Sequence, residues 1–287
     1  MGTLYLVATP IGNLEDITRR AVRTLSEVSL IAAEDTRHTG QLLRRLEIST
    51  PLISYHEHNK EGRLEELLRA LAGGDVALVS DAGTPLLNDP GYELVRAALA
   101  AGYEVSPIPG PSAPIAALIS SGQPADAFLY LGYLPRRRSE RIRALKEVAG
   151  LSYTLIFLET PHRLQAALED ILDVLDDRQI AVARELTKMH EEIFRGTAAE
   201  AKDHFSGPAP RGEITLVIAG SPLRAEIPWS EERMRAEIER KLSDGAAASQ
   251  AARALAKESG WPRSRVYEIL LRRGGSSGES PTPERES

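Results

Sequence analysis

Five short polar segments carry the residue types that could do chemistry: Pro10-Ile11-Gly12-Asn13, Glu34-Asp35-Thr36-Arg37, His56-Glu57-His58-Asn59, Ser80-Asp81-Ala82-Gly83-Thr84-Pro85 and Pro109-Gly110-Pro111-Ser112-Ala113. Each closes a run of small or β-branched apolar residues. The fourth is acidic, which disfavours a phosphate and suits a ligand with positive or hydroxyl groups. The fifth lies in residues 107–118, PIPGPSAPIAAL, where prolines stiffen the backbone around Gly110. Ser112 and Ala113 then place small side chains where a helix begins. A flat ligand could approach the backbone there and meet the free N–H groups of a first turn. The same segment also suits a rigid hinge.

Several common chemistries are missing. There is no GxxxxGK[ST] segment and no GxGxxG after the first apolar run, so the usual phosphate and dinucleotide cradles are absent. The chain has no cysteine, which removes disulfides, thiolate metal sites, iron–sulfur clusters and cysteine nucleophiles. His56 and His58 lie near Glu57 and Asn59, but two histidines alone do not make a metal site, and no metal is expected.

Elements must position these segments. Over the first hundred-odd residues, apolar strand, polar turn and amphipathic helix repeat, with one helix expected across 14–28 on the spacing of Ile17, Val22, Leu25 and Val28. The repeat predicts an α/β fold with a parallel sheet covered by helices on both faces. Ligands of such sheets sit outside the carboxyl ends of the strands, where all five polar segments fall. A second α/β unit follows the loop SSGQPAD, and then three short helices. The expected boundaries are 1–116 and 120–221 for two α/β domains, 229–273 for a helical, helix–turn–helix-like region, and 274–287 for a disordered tail without apolar anchors.

The net charge is −6, so a nucleic-acid partner would need a local basic surface. Two stretches offer one: Arg136 to Lys146, with Arg136, Arg137 and Arg138 leading, and the last helix ending in Arg272-Arg273. Either could equally be a solvated helix face. No run is apolar enough to span a membrane, and the N-terminus lacks signal-peptide features; a cytoplasmic protein is expected.

Taken in order, LVATPIGNLEDIT, EDTRHTGQLL, SYHEHN, SDAGTPLLNDPG, PGPSA, FLETPHRL, ARELTKMHEE and GEITLVIAG resemble one family, the rRNA small-subunit methyltransferase I family of the tetrapyrrole-methylase superfamily. The likeness runs over residues 3–221, and the final helices resemble that family's helix–turn–helix extension. The resemblance implies S-adenosylmethionine as methyl donor, a homodimer, and 2′-O-methylation of a cytidine in the decoding region of bacterial small-subunit rRNA, within the assembled subunit. It assigns the donor to Ser80, Asp81, Ala82, Gly83, Pro85, Gly110, Ser112 and Ala113, with Leu158, Glu159 and Leu186 as the far wall.

Such a reaction gains from a base that takes the hydroxyl proton. The candidates are His56, His58, Lys188, Glu185 and Glu159; Asp35 stands with the catalytic candidates, although Asp35 with Arg37, and Arg184 with Lys188, would also serve to position RNA. His58, Asn59 and Arg136 to Arg138 complete the expected substrate residues. His56 and His58 would share a face if their strand continued that far. Two rival readings are a tetrapyrrole C-methylase, which would carry a glycine-rich first loop where this chain has Ala8-Thr9-Pro10-Ile11-Gly12-Asn13, and a helix–turn–helix regulator that senses a nucleotide.

Overall fold

A computed structural model describes residues 2–208, 210–222, 229–259 and 261–273. The expected tail, 274–287, and the side chains of Arg272 and Arg273 lie outside the described residues.

The first half builds β1 (Thr3–Val7), α1 (Arg19–Glu27), β2 (Leu30–Ala33), α2 (Thr36–Arg45), β3 (Leu52–Ser54), α3 (Lys60–Gly73), β4 (Val76–Val79), α4 (Tyr92–Ala100) and β5 (Glu104–Ile108). The strands form one parallel sheet in the order β3-β2-β4-β1-β5. Side chains alternate between its faces. Val7, Ile31, Ala33, Ala77 and Val79 pack under α1 and α2 against Leu25 and Leu43. Leu4, Ala32, Val76 and Leu78 pack on the opposite side against Leu67, Leu71 and Leu94 of α3 and α4. Central β4 is buried throughout, which explains why VALV carries no polar residue.

The helix expected over 14–28 is broken. Asn13 caps a 3-10 turn at Leu14–Asp16 through the Glu15 N–H, and Thr18 then caps α1 by accepting the Ala21 N–H. Cap chemistry overrides the apolar spacing there, because Ile17 is extended.

The second half builds α5 (Ala113–Ser121), β6 (Phe128–Tyr133), α6 (Arg138–Val148), β7 (Thr154–Glu159), α7 (Leu164–Leu175), β8 (Gln179–Arg184), β9 (Glu192–Thr197), α8 (Ala198–His204) and β10 (Ile214–Ile218). Its sheet runs β6-β7-β10-β8-β9. Only the β6/β7 pairing is parallel; β10 inserts antiparallel between β7 and β8, with Ile214 opposite both Glu159 and Arg184. Ala117 and Leu118 of α5 cover one face, packing on Ile156, Ala183 and Val217. Leu145, Leu168, Ile171 and Ala201 from α6, α7 and α8 cover the other. Both sheets belong to one compact unit, 1–221.

A second unit, 222–287, contains α9 (Glu231–Ser243), α10 (Ala248–Ser259) and α11 (Arg263–Arg273). They close on Met234, Ile238, Leu255 and Val266. Among the described residues no helix is long and apolar enough to cross a membrane.

Candidate active site

A parallel sheet brings every strand's carboxyl end to one edge, and the first-sheet turns are tied together there. Thr9 and Gly83 exchange backbone hydrogen bonds of 2.9 and 3.0 Å. Gly83 adopts φ 81°, a left-handed conformation that a side chain disfavours. Thr84 donates its hydroxyl to the Pro111 carbonyl at 3.0 Å, and Gly110 rests against Ala8, where a Cβ would lie 3.0 Å from the alanine's own. The Asp81 carboxylate accepts the Asp35 N–H at 2.9 Å. Pro85 is buried within the same turn.

A cavity of about 260 Å³ opens beside these turns, lined by Asp81, Ala82, Gly83, Ser112, Ala113 and Leu158. The buried Ser112 hydroxyl has no hydrogen-bond partner. Four carboxyl groups also face the cavity: Glu34, Asp81, Asp89 and Glu213. Burial, and then the neighbouring Glu34, push Asp89 up to about 6. Burial, followed by the Asp81 charge, raises Glu34. Tyr130 lines the same wall; burial pushes its phenol up to about 12, and the hydroxyl donates to Asn88 at 2.5 Å. The cavity is therefore strongly acidic, and this crowding together with burial raises Asp89 and Glu34.

A larger cavity, about 430 Å³, shares the wall formed by Ile11, Asp81, Ala82 and Glu213. Its other residues include Gly12, His38, Gln41, Arg45 and Lys188. The Lys188 ammonium pairs with the Glu185 carboxylate at 2.8 Å, and this hydrogen bond lowers Glu185 below its ordinary range. The loop reaching this cavity is strained: Glu185 has φ 49° and Thr187 φ 65°. Gly212 makes room for it, because a Cβ there would fall 1.8 Å from the Glu185 carboxylate. Thr187 accepts the Asn13 N–H at 3.1 Å, joining this loop to the first turn. Leu186 and Glu185 line a smaller hollow with Glu213 and Lys188.

Other expected site residues lie outside both cavities. Since β3 ends at Ser54, His56 and His58 do not share a strand face. Asn59 closes a turn by accepting the His56 N–H at 2.8 Å, and this turn sets the two rings edge to face, 6.0 Å apart. The His56 Nδ1 is buried without a partner. Asp35 caps α2, and its Arg37 partner at 2.6 Å holds the carboxyl well below the usual range. Glu159 is buried behind Leu158, accepting from Thr160 N–H at 2.7 Å and from Arg163 at 3.1 Å.

Half of the basic run, Arg137, Arg138 and Arg141, is paired with carboxylates of the protein itself. Arg138 and buried Arg141 converge on Asp170 at 2.8 and 2.6 Å. Arg137 pairs with Glu140 at 3.5 Å, and the Arg136 carbonyl accepts from Arg141. Arg184 pairs with Glu192. Conversely, Glu34 stands in one of the five polar segments without a role of its own, and Asp89, Tyr130 and Glu213 are not among the expected site residues. Glu213 lies within GEITLVIAG, immediately before β10, but nothing in the sequence says that this strand runs antiparallel and so begins at the carboxyl ends of its neighbours.

Residues 3–202 match the family model for tetrapyrrole (corrin/porphyrin) methylases. A Synechocystis protein called ribosomal RNA small subunit methyltransferase I is 52% identical over 94% of this chain and 98% of its own. A Thermotoga maritima protein of the same name is 49% identical over 77% of this chain and 99% of its own. Among solved structures, the methyltransferase CobJ superposes with a TM-score of 0.59 over 77% of this chain and 95% of its own; at 18% identity it speaks for the fold alone. The chain thus belongs to the tetrapyrrole methylase family, among its ribosomal RNA small subunit methyltransferase I members.

Proposed function

We propose that this protein transfers a methyl group from S-adenosylmethionine to a ribose 2′-oxygen of a cytidine in the decoding region of small-subunit rRNA, acting as a cytoplasmic homodimer on the assembled subunit. The observation that carries this reading is the pair of adjoining cavities with one shared wall. One is acidic and the other bears cations, as a cationic donor and a polyanionic acceptor would require. The rRNA substrate follows the names of the relatives.

The smaller cavity suits the donor. Carboxylates favour its ammonium and sulfonium, and the orphaned Ser112 hydroxyl offers a hydrogen bond that the protein does not itself satisfy. Leu158 and Tyr130 give it an apolar and aromatic wall. When bound, the donor supplies an electrophilic methyl on sulfur.

The chain's own work is placement, charge and proton handling. Ala82, small and in the shared wall, leaves space between the cavities. Glu213, whose carboxylate has no hydrogen-bond partner among the described residues, receives the hydroxyl proton as the carbon–oxygen bond forms and the carbon–sulfur bond breaks. Lys188, steadied by Glu185, holds positive charge beside the oxygen while it loses that proton. The stiff turns around Gly83 and Gly110 fix the wall, so little ordering remains on binding.

Labelled donor offered in parallel to unmethylated small subunits, naked small-subunit rRNA and a tetrapyrrole precursor tests the assignment. Label is expected in RNA. Label confined to the tetrapyrrole overturns it.

A further inference from the structure

The geometry points to one face of α2 as the phosphate-binding subsite for the acceptor RNA strand, an inference that rests on the RNA-methylating reading above. His38, Gln41 and Arg45 all line the larger cavity. Their spacing, i, i+3 and i+7, places them along one helical face. None of the three side chains has a hydrogen-bond or ion-pair partner among the described residues.

What gives this face weight is that Arg45 lines the cavity while the arginines nearest the other expected site residues are committed to carboxylates. Arg37 is paired with Asp35, Arg138 and Arg141 with Asp170, Arg163 with Glu159, and Arg184 with Glu192. Lys188, across the same cavity, is paired with Glu185. In a chain of net charge −6, a cavity that presents an uncommitted guanidinium is where a polyanion finds local attraction. The carboxylates of Asp81 and Glu213 in the shared wall repel a phosphate. They therefore orient the strand, phosphate toward α2 and ribose toward the wall. A phosphodiester flanking the target ribose fits this arrangement: Arg45 offers a forked pair of donors, His38 a further donor, and Gln41 an amide for a sugar or base edge.

Arg45 also stands in the last turn of α2, where a cation complements the helix dipole. Arg44 shares that turn but does not line the cavity. It therefore separates the two roles.

The test measures binding of unmethylated small ribosomal subunits across a salt series, together with KM for the subunit and donor affinity. Arg45→Gln is expected to weaken RNA binding about tenfold and to flatten the slope of log affinity against log salt by about 0.7–0.9, one phosphate's worth. Arg45→Lys restores the slope. Donor affinity stays at the wild-type value, melting temperature falls by the same small amount in Arg45→Gln and Arg44→Gln through loss of a helix-terminal cation, and Arg44→Gln binds RNA as wild type does. An Arg45→Gln variant indistinguishable from Arg44→Gln overturns the subsite. A wild-type chain that binds the subunit through Arg45 but transfers no methyl to it keeps the subsite and overturns the functional reading instead.

Discussion

Asp81 and Asp35 are joined by a hydrogen bond from the Asp35 backbone N–H to the Asp81 carboxylate, 2.9 Å long. It couples the carboxyl ends of β2 and β4, and it places the Asp81 side chain in the wall common to both cavities. One carboxylate thus braces two turns and supplies charge. The two roles separate by substitution. Asp81→Asn keeps an acceptor for the Asp35 N–H and should fold normally, yet bind the donor about tenfold more weakly through loss of charge. Asp81→Ala loses both and should also lower stability by about 1–3 kcal/mol. Calorimetry of donor binding beside thermal melts checks this; equal donor affinity in wild type and Asp81→Asn would remove charge from the account.

Asp89 gives the site a pH dependence. Its carboxyl ionises near 6 in the fold against an ordinary value of 3.8. Between those values the folded chain holds a proton that the unfolded chain has lost, so stability of the free protein falls as pH rises through this window. A cationic donor has the opposite preference, for the carboxylate. Donor affinity should rise up to about tenfold between about pH 5 and pH 7, and Asp89→Asn should flatten the curve. An unchanged profile in Asp89→Asn would place the titration elsewhere.

Glu213 is assigned the proton. Glu213→Gln keeps size and loses basicity, so single-turnover methyl transfer should slow by about 10²-fold, with RNA and donor still binding. Full activity in this variant would return the role to another group.

Asp170 should matter to stability alone. It is buried and neutralises Arg141, itself buried, as well as Arg138. Asp170→Ala leaves the Arg141 guanidinium uncompensated in the core and should cost about 3–5 kcal/mol in denaturant unfolding. A loss below about 1 kcal/mol would mean that the pair is not a structural anchor.

These residues also show how far a sequence can be read. Val76 to Val79 and Leu30 to Ala33 are apolar runs ended by polar turns, and the parallel sheet is legible from that alternation. So is the edge at which the turns collect. What escapes is everything set by a distant partner. Arg138 and Arg141 look like a solvent or RNA face until Asp170, some thirty positions away, is seen beneath them. Glu213 belongs to the site because β10 runs against β7 and β8, a direction that strand-and-helix alternation does not encode. His38, Gln41 and Arg45 hide inside a helix whose other face holds the core, and Asp89 looks like an ordinary loop aspartate before the cavity around it is drawn.

Ribose methylation of small-subunit RNA at one nucleotide leaves a chemical mark that can be read directly. The most direct measurement is alkaline hydrolysis of that RNA after incubation of unmethylated subunits with the protein and labelled donor. One new alkali-resistant linkage is expected, following a cytidine in the decoding region and carrying the label, because a methylated 2′-oxygen can no longer attack the adjacent phosphate. Label recovered in RNA that is still cleaved at every position would put the methyl on a base and contradict it.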